Sequence, residues 1–204
     1  MNHVIRGYDG QFDISIPVVV IGAGAAGLIA GLAAHDNGAQ VLIVERDANP
    51  SGSTALSSGL IPACNTRWQV ASKVIDNVEI FSQDIKRKNK GQADERLVHR
   101  SCLVSGDVLH WLADNHGQNF ELIEGFLYPG HSLHRMHCHP KRTGKALIDS
   151  LVTAVARAGI DIMNSATVTD IFASENSEIV GIRILRPDGS SENIGCESLI
   201  LACN

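Results

Sequence analysis

The chain has 204 residues, 44% of them apolar, enough for one hydrophobic core and perhaps two small lobes. Its formal net charge of −5 excludes a non-specific nucleic-acid binder, which needs a clustered positive field; the one basic run, Lys86–Lys90, ends a predicted helix where it complements the helix dipole. Five cysteines, an odd count with no C-x-x-C pair, read as reduced thiols of a cytoplasmic protein, and the most apolar stretch, Pro17–Ala34, is broken by four glycines, which fits a strand, turn and helix rather than a membrane span.

In chain order, residues 1–16 have neither an apolar leader nor a small-residue cleavage site and read as an N-terminal extension. Val18–Ile21 reads as a buried parallel strand and Ala25–Asn37 as a helix stopped by Gly38. Gln40–Glu45 reads as a second buried strand, so the chain opens with a βαβ unit and a parallel sheet. "NPSGSTALSSG" follows as a loop of small polar residues. Val74, Val78, Phe81 and Ile85, then Leu97, Val104, Val108, Trp111 and Leu112, recur at helical spacing. "GFLYPGHSLHRMHCHP" reads as a loop or irregular extended segment, and Gly144–Ala158 as an amphipathic helix closed by Gly159. From there the period becomes two. Four short strands with a hairpin turn at Arg186–Ser190 form a meander, and "SLILAC" closes as another buried strand. The fold class is α/β: a mainly parallel sheet with flanking helices and a small β-meander.

The strand–glycine–helix junction "VVVIGAGAAG" carries the chemistry. Gly22 permits a tight turn out of the strand. Gly24, lacking a Cβ, lets a pyrophosphate approach the backbone, and Gly27 lets helix and strand pack closely. The free N–H groups at the helix start then face the phosphates. Glu45, about twenty residues on at a strand end, is placed to accept hydrogen bonds from a ribose. The fingerprint alone leaves a flavin and a nicotinamide dinucleotide open. The loop "SGSTALSSGLIPACNT", with its hydroxyls and Gly59, favours a flavin, because it can run along a second phosphate, a ribityl chain and a ring.

Taken together, "VVVIGAGAAGLIAGLAAHDNGAQVLIVERD", "GSTALSSG", "PGHSLHRMH…RTGKALIDSL" and the meander into "SLILACN" resemble the FAD-binding segment of the fumarate reductase/succinate dehydrogenase flavoprotein family, which includes aspartate oxidase and 3-ketosteroid dehydrogenases. The resemblance implies a Rossmann-like FAD-binding domain over residues 17–204 and an FAD-dependent oxidoreductase acting on a C–C bond beside a carboxylate or carbonyl. It implies that Gly22, Gly24, Ala25, Ala26 and Gly27 cradle the pyrophosphate and that Glu45 and Arg46 hold the ribose. Ser53, Thr54, Ser57, Ser58 and Gly59 would line the phosphate, ribityl and flavin. Val168 would meet adenine through its backbone, and Ala202 and Asn204 would pass the cofactor again. Where the family often has paired glycines this chain has Ser51–Gly52 and Gly59–Leu60. Members with covalent flavin carry a His where Ser53 aligns, so FAD is expected to be non-covalent. The family's cap, proton donor and return segment match nothing here, so the chain is expected to be the first segment of the flavin domain, inactive alone. Alternatives are an NAD(P)-dependent reductase and a silent nucleotide-binding fragment that needs a partner chain. The expected substrate is a small dicarboxylate or ketosteroid. No nucleic acid is expected as a partner, and a homo-oligomer or a missing C-terminal part is.

The run "HSLHRMHCH" offers four histidines and Cys138 but no zinc-finger or zinc-ribbon spacing, and no metal is expected. A similar G-H-S-x-x-R segment in aspartate oxidase makes His131 and Arg135 candidates near the flavin or the substrate entrance, against the plainer reading of a polar loop.

Overall fold

The computed structural model describes residues 3–203; the expected cofactor contact at Asn204 lies outside them. The chain divides into two units. The first joins residues 3–56 to 148–203, and the second is the continuous stretch between, residues 57–147. Among the described residues no helix is long and apolar enough to cross a membrane.

The first unit holds the glycine junction. Strand β3 (Val18–Ile21) leads into helix α1 (Ala25–Asp36), and β4 (Val41–Val44) follows. They join β8 (Asp161–Met163) and β12 (Ser198–Leu201) in a four-stranded parallel sheet ordered β12-β3-β4-β8. Every residue of β4 is buried, as its unbroken apolar sequence requires of a strand covered on both faces. Leu28 and Leu32 of α1 are fully buried, and Gly31 leaves room for Ile43 beneath the helix. Strand β12 differs from its reading as a buried strand. It is an edge strand, and its last residue, Leu201, is 63% exposed.

The meander consists of β9 (Thr167–Ala173), β10 (Ile179–Leu185) and β11 (Ser191–Gly195), with the expected hairpin closed by Arg186 N–H donating to the Ser190 carbonyl. Its inner residues Ile182, Ile184 and Ile194 form one core with Val19, Leu42 and Val44 of the parallel sheet. Within the stretch read as an N-terminal extension, residues 3–16 supply two strands. β1 (Val4–Arg6) pairs parallel with β9, and β2 (Ile14–Ser15) pairs parallel with β11, giving a five-stranded sheet ordered β1-β9-β10-β11-β2. The loop after β4 contains a short helix, α2 (Gly52–Leu56), where the small polar residues predicted none.

The second unit packs α3 (Arg67–Ala71), α4 (Val78–Lys88) and α5 (Glu95–His116) with a three-stranded sheet of β5 (Ile61–Pro62), β7 (Met136–Cys138) and β6 (Glu121–Leu122). Each helix start is capped: Thr66 and Gln69 form a capping box on α3, Asn77 accepts from Ile80 N–H on α4, and Asp94 accepts from Arg96 and Leu97 N–H on α5. Helix α6 (Gly144–Arg157) begins in the second unit and continues in the first.

Candidate functional site

The C-terminal ends of β3, β4 and β12 open into a cleft of about 630 Å³. An open parallel sheet places ligands at this end of its strands. The cleft contains Gly22, Gly24, Ala25, Ala26, Glu45, Arg46, Ser53, Thr54, Val168 and Ala202, ten of the residues singled out in the sequence.

The three glycines have separate physical reasons. Gly22 has a φ of +102°, and a Cβ there would sit 2.9 Å from the Ala202 carbonyl oxygen. Gly27 does not line the cleft; any side chain on it would collide with the Gly22 carbonyl. Gly24 is different. Its φ of −72° and ψ of 178° suit any residue, and a Cβ would find only Thr54 Oγ1, 3.9 Å away. Nothing in the protein requires glycine at 24, so its missing side chain is room for something else. That room lies at the start of α1, whose first amide, Ala25 N–H, donates to Thr54 Oγ1 at 3.3 Å. This is the dipole end that draws an anion.

Glu45 is buried and already bonded. Its Oε2 accepts from Ala23 N–H at 2.7 Å and its Oε1 from Asp47 N–H at 3.0 Å. The carboxylate therefore fixes the glycine turn as well as lining the cleft, a role that strand-end position alone does not reveal. Ala166, Thr167 and Cys203 also line it and escaped the sequence reading, since small or neutral residues at strand ends carry no signal.

Ser57, Ser58 and Gly59 belong to the second unit. There the Ser57 carbonyl accepts from Gly144 N–H, and Gly59 (φ +65°) packs its Cα face against Gly144, the first residue of α6. His131 and Arg135 lie in the same unit. The Arg135 guanidinium, 1% exposed, donates from Nε and Nη2 to Asp76 and from Nη1 to Asp84. Asp84 also accepts from Ser132 N–H, Ser132 O–H and Arg87. Burial alone would raise the Asp84 carboxyl, but these hydrogen bonds outweigh it and hold it well below the usual carboxylate range. Arg135 is thus placed as an internal anchor, covering the Phe81 ring at 4.8 Å. His131 contacts the rings of Phe81 and Tyr128, and burial, joined by the charge of Arg135, lowers its pKa.

The network continues through Gln69, which donates to Asp76 and the His134 carbonyl, to Thr66 and buried His137. The Arg135 carbonyl can only accept, so His137 Nδ1–H donates to it; Nε2 of the neutral ring then accepts from Thr66 O–H, whose oxygen accepts from Gln69 N–H. Burial pushes the His137 pKa down to about 4, which agrees with this neutral tautomer. No three His, Cys, Asp or Glu side chains among the described residues converge as a metal ion would need. All five cysteines are free, and burial pushes the thiols of Cys64, Cys102, Cys138 and Cys196 up, away from nucleophilic use.

Comparison with known proteins gives the family. Residues 17–204 match the family model described as an FAD binding domain. The NADH:fumarate oxidoreductase of Klebsiella pneumoniae (strain 342) is 31% identical over 191 residues, 92% of this chain and 20% of the relative. The urocanate reductase of Eggerthella lenta is 26% identical over 92% of this chain and 31% of the relative. The open conformation of a flavocytochrome c3 fumarate reductase superposes with a TM-score of 0.87 at 30% identity, over 94% of this chain and 34% of that one. A 3-ketosteroid-Δ4-(5α)-dehydrogenase from Rhodococcus jostii RHA1, at 23% identity and a TM-score of 0.81, shares the fold. The chain thus spans a fifth to about a third of the length of these fumarate and urocanate reductases. Where the glycine fingerprint left flavin and nicotinamide open, the family match decides for FAD, and the chain belongs to the FAD binding domain family of fumarate reductase-like flavoproteins.

Proposed function

We propose that this chain supplies the FAD-binding part of a reductase that acts on a carbon–carbon double bond beside a carboxylate or carbonyl. The observation that carries the reading is the space at Gly24, kept open against the first turn of α1 although neither backbone conformation nor packing demands glycine there. In this reading the turn Gly22–Gly24 and the amides of Ala25 and Ala26 receive the pyrophosphate. Thr54, now on Ala25 N–H, exchanges that contact for a phosphate oxygen. Glu45 uses its remaining lone pairs on the ribose while keeping the turn fixed through Ala23. Arg46 stands beside it, and Val168 and Thr167 wall the adenine side. FAD, when bound, supplies hydride exchange with the substrate. The protein binds and orients it.

The named activities of the relatives, on fumarate, urocanate and ketosteroids, are the basis for the substrate class. Ser53 offers no imidazole for a covalent flavin link, so the cofactor dissociates. The test is spectroscopic. Purified chain titrated with FAD should quench flavin fluorescence to saturation, and acid precipitation should leave all the flavin in the supernatant. A chain that binds NADH but not FAD would overturn the reading. For the activity, reduced dye under anaerobic conditions should be oxidised by fumarate, urocanate or an enone steroid only where the substrate half of the enzyme is also present.

A further inference from the structure

Strands β1 and β2 close both edges of the meander with residues that lie before the family match begins. The segment between them carries two aromatic rings, and the meander is shaped to take them. At one register level the outer face reads Ile5, Phe172, Gly181, Gly195 and Ser15 across five strands. Two glycines thus stand directly opposite each other on β10 and β11, a costly choice in the middle of a sheet. Phe12 fills the slot they leave. A Cβ on Gly181 would collide with the Phe12 ring and the Ile194 carbonyl, and one on Gly195 would come within 2.8 Å of the same ring. Tyr8 stacks on buried Phe172 with ring centroids 3.9 Å apart. Backbone bonds run along the whole segment: Ile171 N–H to His3, Tyr8 N–H to Ala173, Asp13 N–H to Asn193 and Ile16 N–H to Gly195. An aromatic ring laid over sheet glycines restores the packing they forgo.

The braced strand β9 is also a wall of the cleft. Its first residues, Thr167 and Val168, line the cleft, while Ile171–Ala173 pair with β1. We propose that residues 3–16 are a brace, with Phe12 as its latch, that pre-organises the Thr167–Val168 wall and so sets the affinity for FAD. Phe12 is a positioning residue: it acts on the cofactor through β9. A wall already held in place spares the cost of ordering it on binding. The proposal rests on the adenosine half of FAD lying in this cleft.

Gly195 gives a clean test. It is not in a left-handed conformation, and the three atoms nearest a Cβ there all belong to Ser15 and Phe12, so an alanine methyl presses first on the brace. Phe12→Ala, Gly195→Ala and the double variant are made in the full chain, with Phe12→Leu as the conservative control. Amide hydrogen exchange is followed without cofactor, and FAD affinity by fluorescence titration. Both single variants should speed exchange at Ile16, Ile171, Thr167 and Val168 and raise the FAD dissociation constant about tenfold. The double variant should be no worse than either single one, since both break the same contact. Phe12→Leu should stay within about threefold of wild type. The proposal is overturned if exchange rises while FAD affinity is unchanged, or if Gly195→Ala leaves the brace amides protected. Should Phe12→Ala fail to fold, Gly195→Ala and Phe12→Leu still decide. A wild-type chain that takes up no FAD would sink the cofactor assignment itself, a result distinct from equal affinities among variants that do bind.

Discussion

Gly24 and Gly27 look alike in the sequence and differ in what they serve. Gly27 answers to the protein, because a side chain would strike the Gly22 carbonyl; Gly24 answers to the ligand. Gly24→Val is therefore expected to abolish FAD binding in a fluorescence titration while far-UV circular dichroism and melting temperature stay near wild type. Gly27→Val should lose the fold as well. The fingerprint was readable because each glycine has a fixed backbone task. Thr167 and Cys203 were not, since what places them in the cleft is the end of a strand, and no side-chain chemistry announces that. Arg135 adds a structural role to its place in the sequence. The G-H-S-x-x-R resemblance makes it a candidate near the flavin or the substrate entrance, and the fold pairs its buried guanidinium with Asp76 and Asp84. Removing one partner of such a buried group leaves uncompensated charge, so Arg135→Met should cost about 3–5 kcal/mol in urea unfolding. Arg135→Lys should recover little of it, because an ammonium cannot reproduce the forked contact to Asp76.

Among the elements, the strongly periodic ones were legible. Helices α4, α5 and α6 and strands β3, β4 and β9–β11 stand where apolar spacing put them, within a few residues. β1 and β2, of three and two residues, were invisible because so few positions define no period; only pairing with β9 and β11 makes them strands. The five-residue α2 was masked by Ser and Gly that favour loops on propensity. Helix α5 shows how an element can depend on one position without a side chain. Gly106 lies against the Cys64 carbonyl, and a Cβ would collide with it. Gly106→Ala gains helix propensity of about 1 kcal/mol and is nevertheless expected to destabilise, by about 1–3 kcal/mol, because backbone must move to admit the methyl group. Thermal melts of the two proteins check the sign.

For the whole molecule, pH is the informative variable. Burial holds His137 neutral down to about pH 4, whereas an ordinary histidine titrates near 6.5. Between those values the unfolded chain binds a proton that the folded chain refuses. Stability present above pH 6.5 should therefore fall as pH drops towards 4, with a slope of up to about 1.4 kcal/mol per unit from this group. Below about pH 4 the depressed Asp84 adds a further loss, since its carboxylate must then be protonated in the unfolded chain first. Urea unfolding at pH 7.5, 6.0 and 4.5 should show the first decline, and His137→Gln should make it shallower above pH 4.5, leaving the share of His131, whose pKa burial also lowers. A decline of equal slope in that variant would move the cause elsewhere.

The division of the chain into an interrupted unit and a continuous one has a consequence in time. β3 and β12 are neighbours in the parallel sheet, yet 176 residues of chain lie between Ile21 and Ser198. The cleft cannot close during synthesis until residues near 201–203 have left the ribosome, whereas Ser57–Leu147 can fold from contacts within itself much earlier. Both tryptophans, Trp68 and Trp111, lie in that continuous stretch. Refolding watched by tryptophan emission should thus run ahead of refolding watched by flavin capture, and the interval between the two signals is the time β3 and β12 need to find each other.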